Sequence, residues 1–488
     1  MRRAKIVCTL GPAVLDQDSL EGLLEAGMDV ARLNFSHGSH EQHAETISKL
    51  RAVSLKARRA VGILADLQGP KIRTGKLVNG AVELTEGAEL SITTEEAALG
   101  TDKLVSTTYA HLAADVNVGD RILLDDGLLE LKVLETDKKK LIRTEIIHGG
   151  TLKNNKGINL PGVNLRADAL TPKDREDLLF GIKAGVDYVA LSFVRQPADL
   201  DQARAAMDGA GQRIPIIAKL EKPEAIARLD AILDKTDGVM VARGDLGVEI
   251  PPEEVPALQK DIIRRANQRG LPVIVATQML NSMIDHPRPT RAEASDVANA
   301  VFDGADALML SGETASGNYP LESVQMMERI IMAAESSARI YPREILLAEA
   351  ANSPGSFPDV IAAAACRAAR ESGAALIAAF TLSGATARLL SRYRPEVPII
   401  AFSPNQLVRR KLSLLWGVIP RVFEPIQDPE TMVRRVEEEL LSRELAGKGD
   451  RVVIVFGAPI GQPGKINSLR LHEISGDSAA TPTAGASS

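Results

Sequence analysis

Five short segments of this chain end an apolar run in residues that can do chemistry. In DGVMVARGDLG (237–247) the run Val239–Ala242 stops at Arg243, Gly244 and Asp245. A buried parallel strand reads this way when it delivers a carboxylate to the rim of a sheet, and the glycine lets a ligand approach the backbone. IIAKLE ends in Lys219 and Glu221, VIVATQML carries Thr277, and VGILADLQG carries Asp66. VARLNFSHG puts Arg32, Asn34 and Ser36 on alternate positions, hence on one face of a strand. Arg32 can fork onto phosphate or carboxylate oxygens. Glu221 and Asp245, at neighbouring strand ends, could together hold Mg²⁺, a hard ion that keeps waters and takes substrate oxygens. A plain salt bridge of Lys219 with Glu221 or Asp245 accounts for the same residue types equally well. Thr277 could donate a proton or contact substrate, or could simply be a structural threonine near a strand end.

These segments need elements that bring them to one place. Strand-like runs at 5–11, 30–36 and 61–67 alternate with helical stretches at 18–27 and 39–58, the second opened by the capping-box pair Ser39 and Gln42. The rhythm stops at about residue 70 and returns at Thr171-Pro172, a good N-cap and first-turn pair. Five more strands follow near 188–194, 214–221, 237–243, 272–277 and 307–311, which makes the eight of a (β/α)8 TIM barrel with its chemistry at one face. The interruption has short alternating runs with turn signals and reads as an inserted small β-barrel domain. NNKGINLPG (154–162) is its return linker. After a polar break at 353–358, AALIAAF, VPIIAFS, VIPRVF and RVVIVFGAP alternate with helical stretches, as in a separate α/β domain. The expected division is therefore 1–69 with 169–344 for the barrel, 70–168 for the insert, 345–474 for the C-terminal domain and 475–488 for a disordered, apolar-free tail.

The bulk properties exclude several classes. A net charge of −6, from 58 basic and 64 acidic residues without a basic block, gives no nucleic-acid footprint. Cys8 and Cys366 form no metal or disulfide pattern, which suits a reducing cytoplasm. No signal peptide is visible, and no apolar run approaches the ~20 residues of a membrane helix. In PTRAEASDVANAVFDGAD, Thr290 and Glu293 form a second capping box, and Asp296 and Asn299 read as polar neighbours of the site or of a subunit contact. SGETASG (311–317) is a turn after the last strand, where barrels often place phosphate groups. TLSGATA (381–387) offers the hydroxyls of Thr381, Ser383 and Thr386 and the backbone around Gly384 at a helix start. That is either a phosphate cradle or an ordinary Ser/Gly cap.

Together the segments KIVCTLGPA, RLNFSHG, GPKIRTG, KGINLPG, AKLEKPEA, VMVARGDLGVEIP, ATQMLNSM and PTRAEASDVANAVFDGADALMLSGETASGNYP are specific. The chain resembles the pyruvate kinase family from about residue 4 to 474. The resemblance implies a catalytic barrel, a lid inserted after the third strand, a C-terminal regulatory domain and a homotetramer. It implies phosphoryl transfer from phosphoenolpyruvate to ADP, giving pyruvate and ATP in glycolysis. On it, Glu221 and Asp245 ligate Mg²⁺, with Mn²⁺ as a substitute. Lys219 and Arg32 face the transferring phosphoryl group, and the Gly244 and Asp245 backbone N–H groups take the substrate carboxylate. Thr277 relays the proton to the enolate, and Asn34, Arg73 and Lys156 contact nucleotide phosphates. A phosphorylated sugar or nucleotide effector is expected at 381–387.

The chain departs from the family pattern in three places. Lys222-Pro223 follow Glu221 where the family usually has Asn, and GQPGKINSLRLHEI lacks the usual Gly-Thr-Thr-Asn run. Leu67 and Lys71 replace the threonine and glutamate of the family's K⁺ motif. Members with this lysine look like a branch that works without K⁺. Lys71 is then expected near the vacated place ringed by Asn34, Ser36, Asp66 and the Leu67 carbonyl, and K⁺ is not expected to be required. Two other readings fit parts of the pattern: a magnesium-dependent aldolase or lyase acting on a pyruvate enolate, and a catalytically silent sugar-phosphate sensor. The first would not need Arg73 and Lys156 at the insert's junctions. The second would be credible had Lys219, Glu221 or Asp245 been replaced.

Overall fold

Eight largely buried apolar strands close into one parallel barrel. They are β1 (Lys5–Leu10), β2 (Val30–Asn34), β3 (Gly62–Asp66), β4 (Tyr188–Leu191), β5 (Ile216–Leu220), β6 (Gly238–Ala242), β7 (Val273–Ala276) and β8 (Ala307–Leu310). Each pairs with its neighbours in sequence, and β1 closes on β8. The structure, a computed structural model, describes residues 1–95, 99–163, 165, 166, 168–337, 356–424, 426, 428–459 and 466–475. The expected domain boundary at 344/345, the first half of the polar break that follows it, and the tail beyond Ser475 lie outside the described residues.

Alternate side chains of the strands fill the interior, among them Val7, Val30, Leu64, Tyr188, Ile217, Met240 and Ile274. The opposite faces pack on the surrounding helices. Helix starts follow the sequence signals: Ser39 with Gln42, Thr171 with Asp174 and Thr290 with Glu293 all form capping boxes. Gly27, Gly185 and Gly304 end helices in the left-handed conformation.

The insert leaves the barrel after β3. It is built from a six-stranded sheet and a two-stranded ribbon around a core of its own. Its two connections to the barrel are zipped together. Arg73 bridges Gly157, the Thr74 N–H donates to the Lys156 carbonyl at 2.8 Å, and the Ile158 N–H donates to the Ile72 carbonyl at 3.0 Å. Buried Asp174, at the start of the helix that resumes the barrel, accepts from the Gly69 N–H at 3.0 Å. Entry and exit of the insert therefore run side by side as one paired junction.

The C-terminal domain has a five-stranded sheet whose order is 418–422, 399–403, 376–380, 451–456 and 468–473. Four strands are parallel, and Ser468–Glu473 is an antiparallel edge strand within the segment that lacks the family's usual run. This domain plugs the end of the barrel opposite the chemistry. Leu414 joins the interior cluster of the barrel, the Tyr188 hydroxyl donates to the Lys411 carbonyl, and Arg394 pairs with Asp306 at 2.9 Å.

Candidate active site

All the chemistry-bearing side chains lie at the carboxyl ends of the strands, because a parallel barrel points every such end the same way. Arg32 (β2) donates from Nε to Asp66 Oδ2 (β3) at 2.7 Å and from Nη1 to Thr9 Oγ1 (β1) at 3.0 Å. Lys219 (β5) places Nζ 3.2 Å from Asp66 Oδ1, 2.9 Å from Glu221 Oε1 and 2.8 Å from Ser192 Oγ. Two cations and two carboxylates thus share a barely exposed cluster spanning four strands.

The electrostatics follow from burial and neighbours. Burial alone would lower the Lys219 ammonium, but Asp66 and Glu221 outweigh it and hold it above the usual lysine range. Burial opposes charge on Asp66 as well, yet Lys219 and Arg32 keep its carboxyl below the usual range. Glu221 goes the other way. Its burial lifts the carboxyl above the usual range, Asp245 adds to the rise, and Lys219 only partly offsets it. The Phe193 N–H, presented by a residue at φ +55, donates to Glu221 Oε2 at 2.8 Å and fixes its orientation.

Arg243 and Asp245 begin the helix Arg243–Glu249, which starts where β6 ends. The Gly244 N–H donates to Thr277 Oγ1 at 2.7 Å, and that hydroxyl donates to the Ala276 carbonyl at 2.6 Å. The N–H expected for a substrate carboxylate is thus held by the threonine expected to relay a proton. Thr277 sits at φ +72, which is strained for a β-branched residue. Arg243 reaches Asp296 at 2.7 Å and the Thr277 carbonyl at 2.8 Å, so Asp296 does border the site. Lys71, Asp126, Gly244, Asp245, Thr277 and Asn299 are among the residues lining an open cleft of ≈ 1060 Å³.

Four expectations change. Ser36 is not on the strand: β2 ends at Asn34, whose Oδ1 accepts from the Ser36 N–H at 3.1 Å and turns the chain. Lys71 does not sit in a ring of Asn34, Ser36 and Asp66. Gly69 turns at φ +70, Lys71 is exposed along the cleft with Asp126 and Asp245, and Asp66 is already matched by Arg32 and Lys219. The loop 311–317 is not an open phosphate seat. Buried Glu313 accepts from the Ser311 and Leu280 N–H groups at 2.7 and 3.0 Å. In the loop 381–387 only Ser383 of the three hydroxyl residues is exposed, and Thr381 Oγ1 accepts from the Gly384 N–H at 2.8 Å. At the insert's junction Arg73 bridges Gly157, and Lys156 pairs with Asp125 at 2.7 Å. Ser192 and Phe193 were not singled out from sequence. Their only signal was the polar break directly after the apolar run of β4.

Among the described residues no group of three or more His, Cys, Asp or Glu forms a metal cage, and no helix is long and apolar enough to cross a membrane. The family model "Pyruvate kinase, barrel domain" matches residues 1–324, and "Pyruvate kinase, alpha/beta domain" matches residues 359–472. A protein named pyruvate kinase from Mycobacterium tuberculosis is 49% identical over 98% of this chain and 99% of its own length. One from Corynebacterium glutamicum is 48% identical over 98% of both chains. The crystal structure of a pyruvate kinase from Cryptosporidium parvum superposes with a TM-score of 0.91 at 38% identity, covering 97% of this chain and 96% of that one.

Proposed function

The chain belongs to the pyruvate kinase family and carries its activity, phosphoryl transfer from phosphoenolpyruvate to ADP, and on that premise we propose how its residues divide the work. The observation that carries the assignment is the Arg32–Asp66–Lys219–Glu221 cluster beside Asp245. Phosphoryl transfer asks mainly for positioning and charge neutralisation, and this cluster fixes two cations in place by ion pairs on side chains that are barely exposed. Lys219 and Arg32 face the transferring group, and Asp66 orients both.

The donors suit a hard divalent cation. Glu221 has a buried carboxyl whose charge lacks full compensation, Asp245 lies close enough to raise it, and two carboxylates leave room for waters and substrate oxygens. Glu221 and Asp245 would hold Mg²⁺, or Mn²⁺ in its place, which when bound supplies positive charge to the enolate and carboxylate oxygens. The Asp245 N–H has no partner within its own helix and can meet the substrate carboxylate. Rotation of the Thr277 side chain would free the Gly244 N–H for the same purpose and bring the hydroxyl toward the enolate carbon. Asn34, Arg73 and Lys156 serve the nucleotide phosphates, with Lys156 exchanging Asp125 for phosphate as the lid closes. Glu221→Gln should fold normally yet bind Mn²⁺ more weakly by at least roughly tenfold, read by paramagnetic resonance on the free protein. Unchanged binding would remove Glu221 from the ligand set.

The C-terminal domain is assigned a phosphorylated effector at Ser383, with Gly384 and the first turn of the helix Ala385–Arg392. Thr381 shapes the loop through its bond to Gly384, and Thr386 is buried beneath it. Screening sugar phosphates and nucleotides by thermal shift identifies the compound. Ser383→Asp should then abolish activation by it, whereas retained activation would move the effector elsewhere. We also assign a homotetramer, checked by sedimentation, and a cytoplasmic location consistent with two free, buried cysteines.

A further inference from the structure

Lys222 is one residue beyond Glu221 and is almost fully buried. Its side chain is 8% exposed, and that of its partner Glu249 is 1% exposed. The ammonium lies 2.6 Å from Glu249 Oε1 and 5.8 Å from the centre of the Phe193 ring. The same Glu249 oxygen accepts from Asn159 Nδ2 of the insert at 2.9 Å, while Oε2 is buried with no hydrogen-bond partner. Three segments that are far apart in sequence therefore meet on one carboxylate.

A buried ion pair is often no more stable than an apolar pair of the same volume, so stability alone gives little reason for this one. Its geometry gives a better reason. Asp245 and Glu249 are four apart on the helix Arg243–Glu249 and share a face, so a tether on Glu249 sets how far the helix is rotated and where Asp245 points. Phe193, against which the ammonium rests, supplies the N–H that holds Glu221. Asn159 stands on the return strand of the insert, paired with Leu123. The seam closes tightly here: Gly157 and Asn159 from the insert face Phe193, Lys222 and Asp245 across a space of only ≈ 30 Å³.

We propose that Lys222 is a positioning residue that joins lid seating to the geometry of the carboxylate pair. Through Glu249 it ties the insert's return strand to the helix bearing Asp245, and through Phe193 it steadies Glu221. The functional consequence rests on the metal reading above.

The test measures two things on the nucleotide-free, full-length protein: Mn²⁺ affinity, and amide hydrogen exchange at Ile158–Val163. Lys222→Met/Glu249→Gln removes both charges and leaves no bare ion. It should weaken Mn²⁺ binding by about tenfold or more, the scale of lost supporting contacts around metal ligands. It should also speed exchange at Ile158–Val163 while barrel strands stay protected, and Lys222→Arg alone, which keeps a cation opposite the Glu249 carboxylate, should leave both as in the parent. Asn159→Ala cuts only the arm to the insert, and should speed the same exchange and, because seating reaches the carboxylate pair through Glu249, weaken Mn²⁺ binding by a smaller factor than the double variant. Unchanged exchange at Ile158–Val163 in the double variant or in Asn159→Ala overturns the proposal, as does faster exchange spread evenly over the barrel. If Glu221→Gln binds Mn²⁺ normally, the metal reading fails, while the exchange result still judges the tether.

Discussion

Lys219→Met is expected to fold and to lose roughly 10³-fold in kcat, with a much smaller change in KM for ADP, since one preorganised charge aimed at the transition state is removed. The ammonium is held at 2.9 Å from Glu221 and 3.2 Å from Asp66 on a side chain only 12% exposed, so solvent screens its charge little. A second effect must be separated from this one. Deleting one member of a buried ion network can cost about 3–5 kcal/mol when a bare charge is left behind. Here the loss should be smaller. Asp66 keeps Arg32, and the Glu221 carboxyl, already raised by burial and by Asp245, can take up a proton and become neutral. Thermal melting read beside steady-state kinetics distinguishes the two effects. A folded variant with kcat within tenfold of the parent would make Lys219 a structural ion-pair partner, the alternative its residue type allows. Lys219→Arg should not rescue turnover, because a planar fork cannot occupy the place of a point charge packed among Ser192, Asp66 and Glu221.

The barrel was legible because parallel strands buried on both faces are written as apolar runs, and the chemistry is written directly after them. Lys219, Glu221, Asp245 and Thr277 could all be located that way, and the capping boxes at Ser39 and Thr290 and the Thr171-Pro172 pair marked where helices begin. What stayed hidden depends on how loops fold back. Nothing local in SGETASG says that Glu313 will turn inward and satisfy the loop's own N–H groups. Period-two alternation placed Ser36 on β2, but the Asn34 side chain ends the strand first. Ser192 and Phe193 have no distinctive type, and their importance comes from the register of β4 beside β5. The tether of Lys222 to Glu249 and Asn159 joins segments that only the tertiary fold brings together.

Turnover without K⁺ is expected to equal turnover in high KCl, and Lys71→Glu is expected to create a K⁺ requirement. The oxygens that a K⁺ ion would need are already engaged. Asn34 Oδ1 is engaged by the Ser36 N–H at 3.1 Å, and the Leu67 carbonyl accepts from the Ser192 hydroxyl at 2.6 Å. Asp66 is matched by Arg32 and Lys219 at 2.7 and 3.2 Å. A monovalent cation would have to compete with each of these contacts. On this proposal Lys71 would supply the missing positive charge from another side. It lines the cleft with Asp126 and Asp245 at the insert's junction, makes no ion pair among the described residues, and rides on a flexible stem that lid closure can bring over the phosphates. Exchanging it for glutamate reverses a unit charge near a polyanion. At an effective dielectric near 20 this is worth about 2–4 kcal/mol, roughly 30-fold or more in rate. Bound K⁺ would offset that penalty, so the variant should regain most of its activity as KCl replaces a tetraalkylammonium salt at constant ionic strength. Strong K⁺ activation of the unmodified enzyme would sink the idea and return Asn34, Ser36, Asp66 and the Leu67 carbonyl to service as K⁺ ligands. A Lys71→Glu variant that stays indifferent to K⁺ would instead place Lys71 in solvent, with no part in balancing the phosphates.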